Sequence, residues 1–149
     1  MATIQLPPDF KDFLKLLNSH DVQYLIVGGY AVGFHGYPRA TGDLDVWIAQ
    51  EPQNARNMVN VLHAFGFGSS AVTEELFLKE RQVIRMGVPP VRIEILTTVS
   101  GVDFSTCYSR TQSTEFDGIG VRIISLSDLK ANKRACGRTK DLNDLEHLP

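Results

Sequence analysis

The chain has 149 residues, 43% of them hydrophobic and 21% charged, with a formal net charge of -2. This size suits one domain, residues 1–149, with its own core, and the slight acidity excludes a global positive field that would recruit nucleic acid, leaving only a local basic patch. The start, MATIQLPPDFKDF, lacks a basic-then-apolar leader and no stretch nears the roughly 20 apolar residues of a membrane span, so a cytoplasmic location is expected. Cys107 and Cys136 form no CxxC and no zinc spacing; two free thiols are expected, with Cys107 half-buried.

Phe10, Phe13, Leu14 and Leu17 recur at helical spacing after Pro7-Pro8 and predict a packing helix to about His20. Tyr24 to Val27 reads as a buried strand ended by Gly28-Gly29, whose lack of side chains permits a tight turn and close backbone approach. A short helix is expected from there to about His35, its first N–H groups free beside the glycines, where a phosphate is accommodated. Asp43 to Ile48 alternates with period two, which puts Asp43 and Asp45 on one face and Leu44, Val46 and Ile48 in the core. Glu51-Pro52 opens a helix through Met58, Val61, Leu62 and Phe65 that Gly66 stops, with His63 on its surface. Residues 67–78 carry a weak signal for a short strand or helix.

Residues 82–86 and 91–96 predict a hairpin around a turn at 87–90, with Val91, Ile93 and Ile95 on one face and Arg92, Glu94 and Leu96 on the other. Glu94 thus interrupts an apolar strand, where an unpaired charge is costly; it is either an edge-strand glutamate facing water or, the reading favoured, a third member of the Asp43–Asp45 cluster. A short helix is expected over 102–109, then strands 113–116 and 121–124 about a turn at 118–120. Ser125 to Asp128 resembles a capping box opening a helix to about Ala135, ended by Gly137, and residues 140–148 form the last helix. Lys130, Lys133, Arg134, Arg138 and Lys140 make the densest basic cluster.

Two aligned carboxylates repel and raise each other's pKa unless a cation lies between them. With Glu94 added from a neighbouring strand, Asp43 and Asp45 make an all-oxygen set suited to Mg2+ or Mn2+ rather than zinc. A glycine turn beside such a site fits transfer from a nucleoside triphosphate, and its spacing matches neither GxxxxGK[ST] nor GxGxxG.

Gly28-Gly29, thirteen residues, Asp43-Leu44-Asp45 and a distant Ile93-Glu94-Ile95 resemble the signature of the polymerase-beta-like nucleotidyltransferase superfamily. More narrowly, GGYAVGFHGYPRATGDLDVWI with GRTKDLNDLEHL looks like the minimal bacterial nucleotidyltransferases related to AbiEii-type toxins. The resemblance implies an α+β nucleotidyltransferase fold, a small mixed sheet with helices mainly on one side. It also implies that Asp43, Asp45 and Glu94 are catalytic metal ligands, with Glu94 on the nucleophile-side ion and standing where aspartate is commoner. Gly28 and Gly29 would bind the triphosphate.

Arg39 and Thr41, just before Asp43, either contact phosphate or cap their loop. Lys130 and Lys133 are candidates for the β and γ phosphates, with Arg138 and Lys140 nearby, against a solvated basic face. His35 reads as a buried hydrogen-bonding residue, Trp47 as core, Tyr37 as a candidate base-stacking ring, and Asp141 and Asp144 as structural partners of the basic cluster. The expected function is metal-dependent transfer of a nucleoside monophosphate from an NTP, ATP first among them, to a hydroxyl of RNA, protein or a small molecule, releasing pyrophosphate. A non-catalytic, partner-binding or antitoxin-like module is the alternative, and a phosphohydrolase or nuclease leaves the glycine turn unexplained.

Overall fold

The computed structural model describes residues 4–88 and 91–149. Along the chain the elements are α1 (Pro8–Ser19), β1 (Tyr24–Val27), α2 (Gly28–Phe34), β2 (Asp43–Ile48), α3 (Pro52–Ala64), α4 (Glu74–Leu78), β3 (Val83–Val88), β4 (Val91–Leu96), α5 (Phe104–Ser109), β5 (Gln112–Phe116), β6 (Ile119–Ile123), α6 (Leu126–Cys136) and α7 (Thr139–His147). The strands form one six-stranded mixed sheet in the order β3-β4-β2-β1-β6-β5, which is the α+β class expected.

β2 is the pivot of the sheet. It pairs antiparallel with β1, Val27 opposite Asp45, and parallel with β4, Asp45 opposite Glu94. A parallel pair needs a crossover, and α3, α4 and β3 make it. The period-two pattern of β2 is realised as expected: Leu44, Val46 and Ile48 are fully buried, and Asp43 and Asp45 are half-buried on the other face.

Below the core face α1 buries Phe10, Phe13, Leu14 and Leu17, and α3 buries Met58, Val61 and Leu62. Each such side chain contributes about 1.5–3 kcal/mol relative to exposure. The two helices meet through Phe13 and Phe65, ring centroids 5.3 Å apart. Buried Asn54 ties the start of β1 to the end of β2: it accepts from Gln23 N at 2.8 Å and donates to the carbonyls of Gln23 and Ala49 at 3.1 and 2.9 Å.

Four local expectations shift or resolve. The β5–β6 turn is Asp117-Gly118, with φ of 53° and 81°, so the chain reverses one step earlier than 118–120; Asp-Gly is the pair that accepts positive φ at both corners. The weak 67–78 signal resolves as α4, anchored by buried Phe77. Cys107 is fully buried rather than half-buried, and burial, aided by Asp128, pushes its thiol up to about 12. Of the expected turn at 87–90, Gly87 and Val88 are strand, while Pro89 and Pro90 lie outside the described residues.

Candidate active site

Gly28 has φ +70°, a left-handed backbone that a side chain resists. A Cβ there would overlap Asp45 Oδ2 and lie 2.9 Å from its Cγ. At Gly29 a Cβ would lie 2.8 Å from Thr41 Cβ, with Thr41 Oγ1 closer still. The glycine pair therefore opens room for the Asp45 carboxylate and for the loop that precedes β2. Thr41 itself donates to Asp43 O at 3.3 Å.

The register of β2 and β4 then brings three carboxylates together. One oxygen each of Asp43, Asp45 and Glu94 can be chosen so that all lie within 4.8 Å of one another. β4 is flanked by β3 and β2, so Glu94 is no edge-strand glutamate facing water. Asp45 stands out: burial first, then the charges of Glu94 and Asp43, push its carboxyl up to about 7. Its Oδ1 is buried without a hydrogen-bond partner. An orphaned carboxylate oxygen among like charges is costly, and a hard cation is the partner that would satisfy it. The donor set fits Mg2+ or Mn2+.

Two arginines that sequence reasoning left unassigned share this cluster. Arg92 Nη2 lies 2.9 Å from Asp43 Oδ2 and 3.2 Å from Glu94 Oε1, and Arg85 Nε lies 3.2 Å from the same Glu94 oxygen. Their signal was present: Arg92 is two residues before Glu94 on one strand face, and Arg85 is its cross-strand neighbour in β3.

A cleft of about 380 Å³ opens over the carboxylates, and Gly28, Gly29, Arg39, Lys133, Arg138 and Lys140 all reach its wall. The basic residues in it differ in their freedom. Lys133, expected on a solvated face or at phosphate, is 4% exposed and pairs with Asp141 at 3.2 Å and Asp144 at 3.0 Å. Arg39 grips Asp144 through two bonds of 2.9 Å, and Arg138 Nε donates to Asp141 at 2.7 Å. Burial works against the charge of both aspartates, yet hydrogen bonds from Arg138 and Lys133 to Asp141, and from Arg39 and Lys133 to Asp144, outweigh it and hold them below the usual carboxylate range. Their structural role is as expected. Lys140 forms no ion pair among the described residues, and its charge acts on Asp45. Lys130 does not line the cleft; its ammonium meets the Pro149 carbonyl.

His35 hydrogen-bonds as expected, its Nε2 2.7 Å from Ile124 O, but is half-buried rather than buried, and Trp47 is core at 2% exposure. Tyr37 stacks on His147, ring centroids 4.2 Å apart, so the ring expected to meet a base already has a protein partner. A second cavity of about 510 Å³ shares Thr98 and Val99 with the cleft and reaches Trp47 on the carboxylate face of β2.

No protein-family model matches this chain and no curated protein is similar to it in sequence. Solved structures are similar in fold. A Thermotoga maritima protein, TM1012, provisionally assigned as a nucleotidyltransferase, superposes with TM-score 0.59 at 13% identity over 96% of this chain and 94% of that one. The lincosamide antibiotic adenylyltransferase LnuA, solved with lincomycin bound, gives 0.57 at 12% identity over 97% of each. The antibiotic-resistance factor ANT(2'')-Ia gives 0.57 at 12% identity over 93% of this chain and 79% of that one. The chain has the nucleotidyltransferase fold.

Proposed function

We propose that this protein is a metal-dependent nucleotidyltransferase that moves a nucleoside monophosphate from an NTP to a hydroxyl acceptor and releases pyrophosphate. The observation that carries this reading is the half-buried triad of Asp43, Asp45 and Glu94, with one orphaned oxygen on Asp45, beside a glycine turn. Asp43 and Asp45 would hold Mg2+ or Mn2+, with Glu94 the third carboxylate. The bound ion would neutralise triphosphate charge and polarise the phosphate under attack.

The chain's own residues bind and orient. Gly28 and Gly29 let the triphosphate come close to backbone, and Lys140, which forms no ion pair among the described residues, is a cleft cation placed to meet it. Arg39, Lys133 and Arg138 shape the wall, adding positive potential while staying bonded to their aspartates, and Thr41 would steady the loop before β2 through the Asp43 carbonyl. In the transfer, the acceptor oxygen bonds to the α-phosphorus as the bond to the bridging oxygen breaks, and Glu94 favours loss of the acceptor proton. ATP is the donor we favour, since one protein of like fold is named an adenylyltransferase. The neighbouring cavity at Trp47 gives an RNA, protein or small-molecule acceptor room beside the carboxylates. The narrower kinship with AbiEii-type toxin nucleotidyltransferases, and a partner subunit with it, rests on the stretches from Gly28 to Ile48 and Gly137 to Leu148.

The test is calorimetric titration of Mg2+ with each of the four NTPs into the wild type and into Asp43→Asn, Asp45→Asn. Binding that needs Mg2+ and vanishes in the folded double variant is the expected result. No NTP binding in the folded wild type would overturn the free-standing enzyme and favour a non-catalytic module.

A further inference from the structure

The triad has two unequal edges. Between Asp43 and Glu94 stands Arg92, one terminal nitrogen within 2.9 and 3.2 Å of the two carboxylates. On the Asp45 side no arginine or lysine comes within 4 Å among the described residues, and Asp45 Oδ1 lacks a partner. The geometry points to a site built for one divalent ion, on the Asp43–Asp45 edge, with the Arg92 guanidinium in the place of a second ion on the Asp43–Glu94 edge. This rests on the nucleotidyltransferase reading and deepens it.

The chemistry of the groups supports the division. A guanidinium stays charged at every working pH and presents several donors in a fixed fork, so it spans two carboxylates as an ion would. It cannot act as a Lewis acid, so an acceptor at that edge meets N–H donors and fixed positive charge rather than a coordinating metal. Arg85, also at 3.2 Å from Glu94, adds to the same edge. With both arginines in place the three ionised carboxylates carry a net charge of -1, which a single divalent ion already more than offsets. A second ion would have to expel Arg92, leaving its side chain, now 28% exposed, without its carboxylate partners.

Counting Mn2+ tests this without any turnover. Electron paramagnetic resonance at pH 8, with Mn2+ and a non-hydrolysable ATP analogue, is expected to find one ion per wild-type chain with the spectrum of an isolated ion. Arg92→Gln is expected to take up two and to show the exchange coupling of ions about 3.5–4 Å apart. Arg92→Lys, which keeps the charge, is expected to stay at one. Two coupled ions in the wild type would overturn the proposal and leave the nucleotidyltransferase reading intact, as would one ion in a folded Arg92→Gln. No bound ion in any of these proteins would overturn both. Should Arg92→Gln not fold, the wild-type count still decides.

Discussion

Two charged clusters meet at the cleft, and they are built on opposite principles. Around Lys133 every charge is answered: Asp141 and Asp144 are buried, and Lys133, Arg138 and Arg39 take up their oxygens. Around Asp45 the answer is incomplete: three carboxylates share two arginines, and Asp45 Oδ1 is left over. A fold gains nothing from an unanswered charge, so the incomplete cluster is the one shaped for something that arrives, and the complete one holds the wall in which it arrives.

The sharpest way to break that contrast is to open the complete cluster. Asp144→Ala strands Arg39 and leaves Lys133 with one partner; chemical denaturation should show a loss of about 3–5 kcal/mol, the cost of removing one member of a buried ion pair. Next is Gly28→Ala, which adds a methyl against Asp45 in a left-handed backbone; about 1–3 kcal/mol of stability should go, and Mg2+-dependent NTP binding should weaken with it. Asp45→Asn should act in the other direction.

The sign for Asp45 follows from its carboxyl lying near 7 in the folded chain and near 3.8 in the unfolded one. The folded state binds the extra proton across that window, so this group's contribution to stability falls as pH rises from about 4 to about 7 and is flat above. Asp45→Asn removes the slope, and at pH 8 its Tm should exceed that of the wild type by about 2–4 °C, equivalent to about 1 kcal/mol. In the wild type, Mn2+ affinity should fall about tenfold per pH unit below 7, since the ion must displace that proton. The smallest effect belongs to an ordinary surface pair: Arg56→Ala, which breaks the exposed bridge of 3.6 Å to Glu74, should change stability by less than about 0.5 kcal/mol.

Much of this was legible in the sequence because it is written in short-range patterns. The alternation of Asp43 to Ile48 placed two carboxylates on one face, and Ile93-Glu94-Ile95 marked a polar intruder in an apolar strand. Ser125 caps α6 by accepting from Asp128 N, and Gly137 closes it at φ 65°. What stayed hidden depends on partners distant in sequence. Lys133 looks like any helix-surface lysine until α7 folds back and supplies two aspartates. Arg92 and Arg85 look like outward-facing strand residues until β2 is laid beside β4. Lys130 belongs to the basic cluster in composition, but its ammonium meets the Pro149 carbonyl and does not line the cleft.

The parallel pairing of β2 with β4 bears on folding order. Asp45 and Glu94 become neighbours only when some fifty residues of crossover have closed, a non-local step that comes late because its loop entropy must be met first. Local pieces such as the β3–β4 hairpin or α3 can form before it, but none of them contains more than a fragment of the acidic triad. A divalent ion therefore meets the complete triad only once β2 and β4 have paired, and binding that depends on Glu94 reports that this pairing is in place.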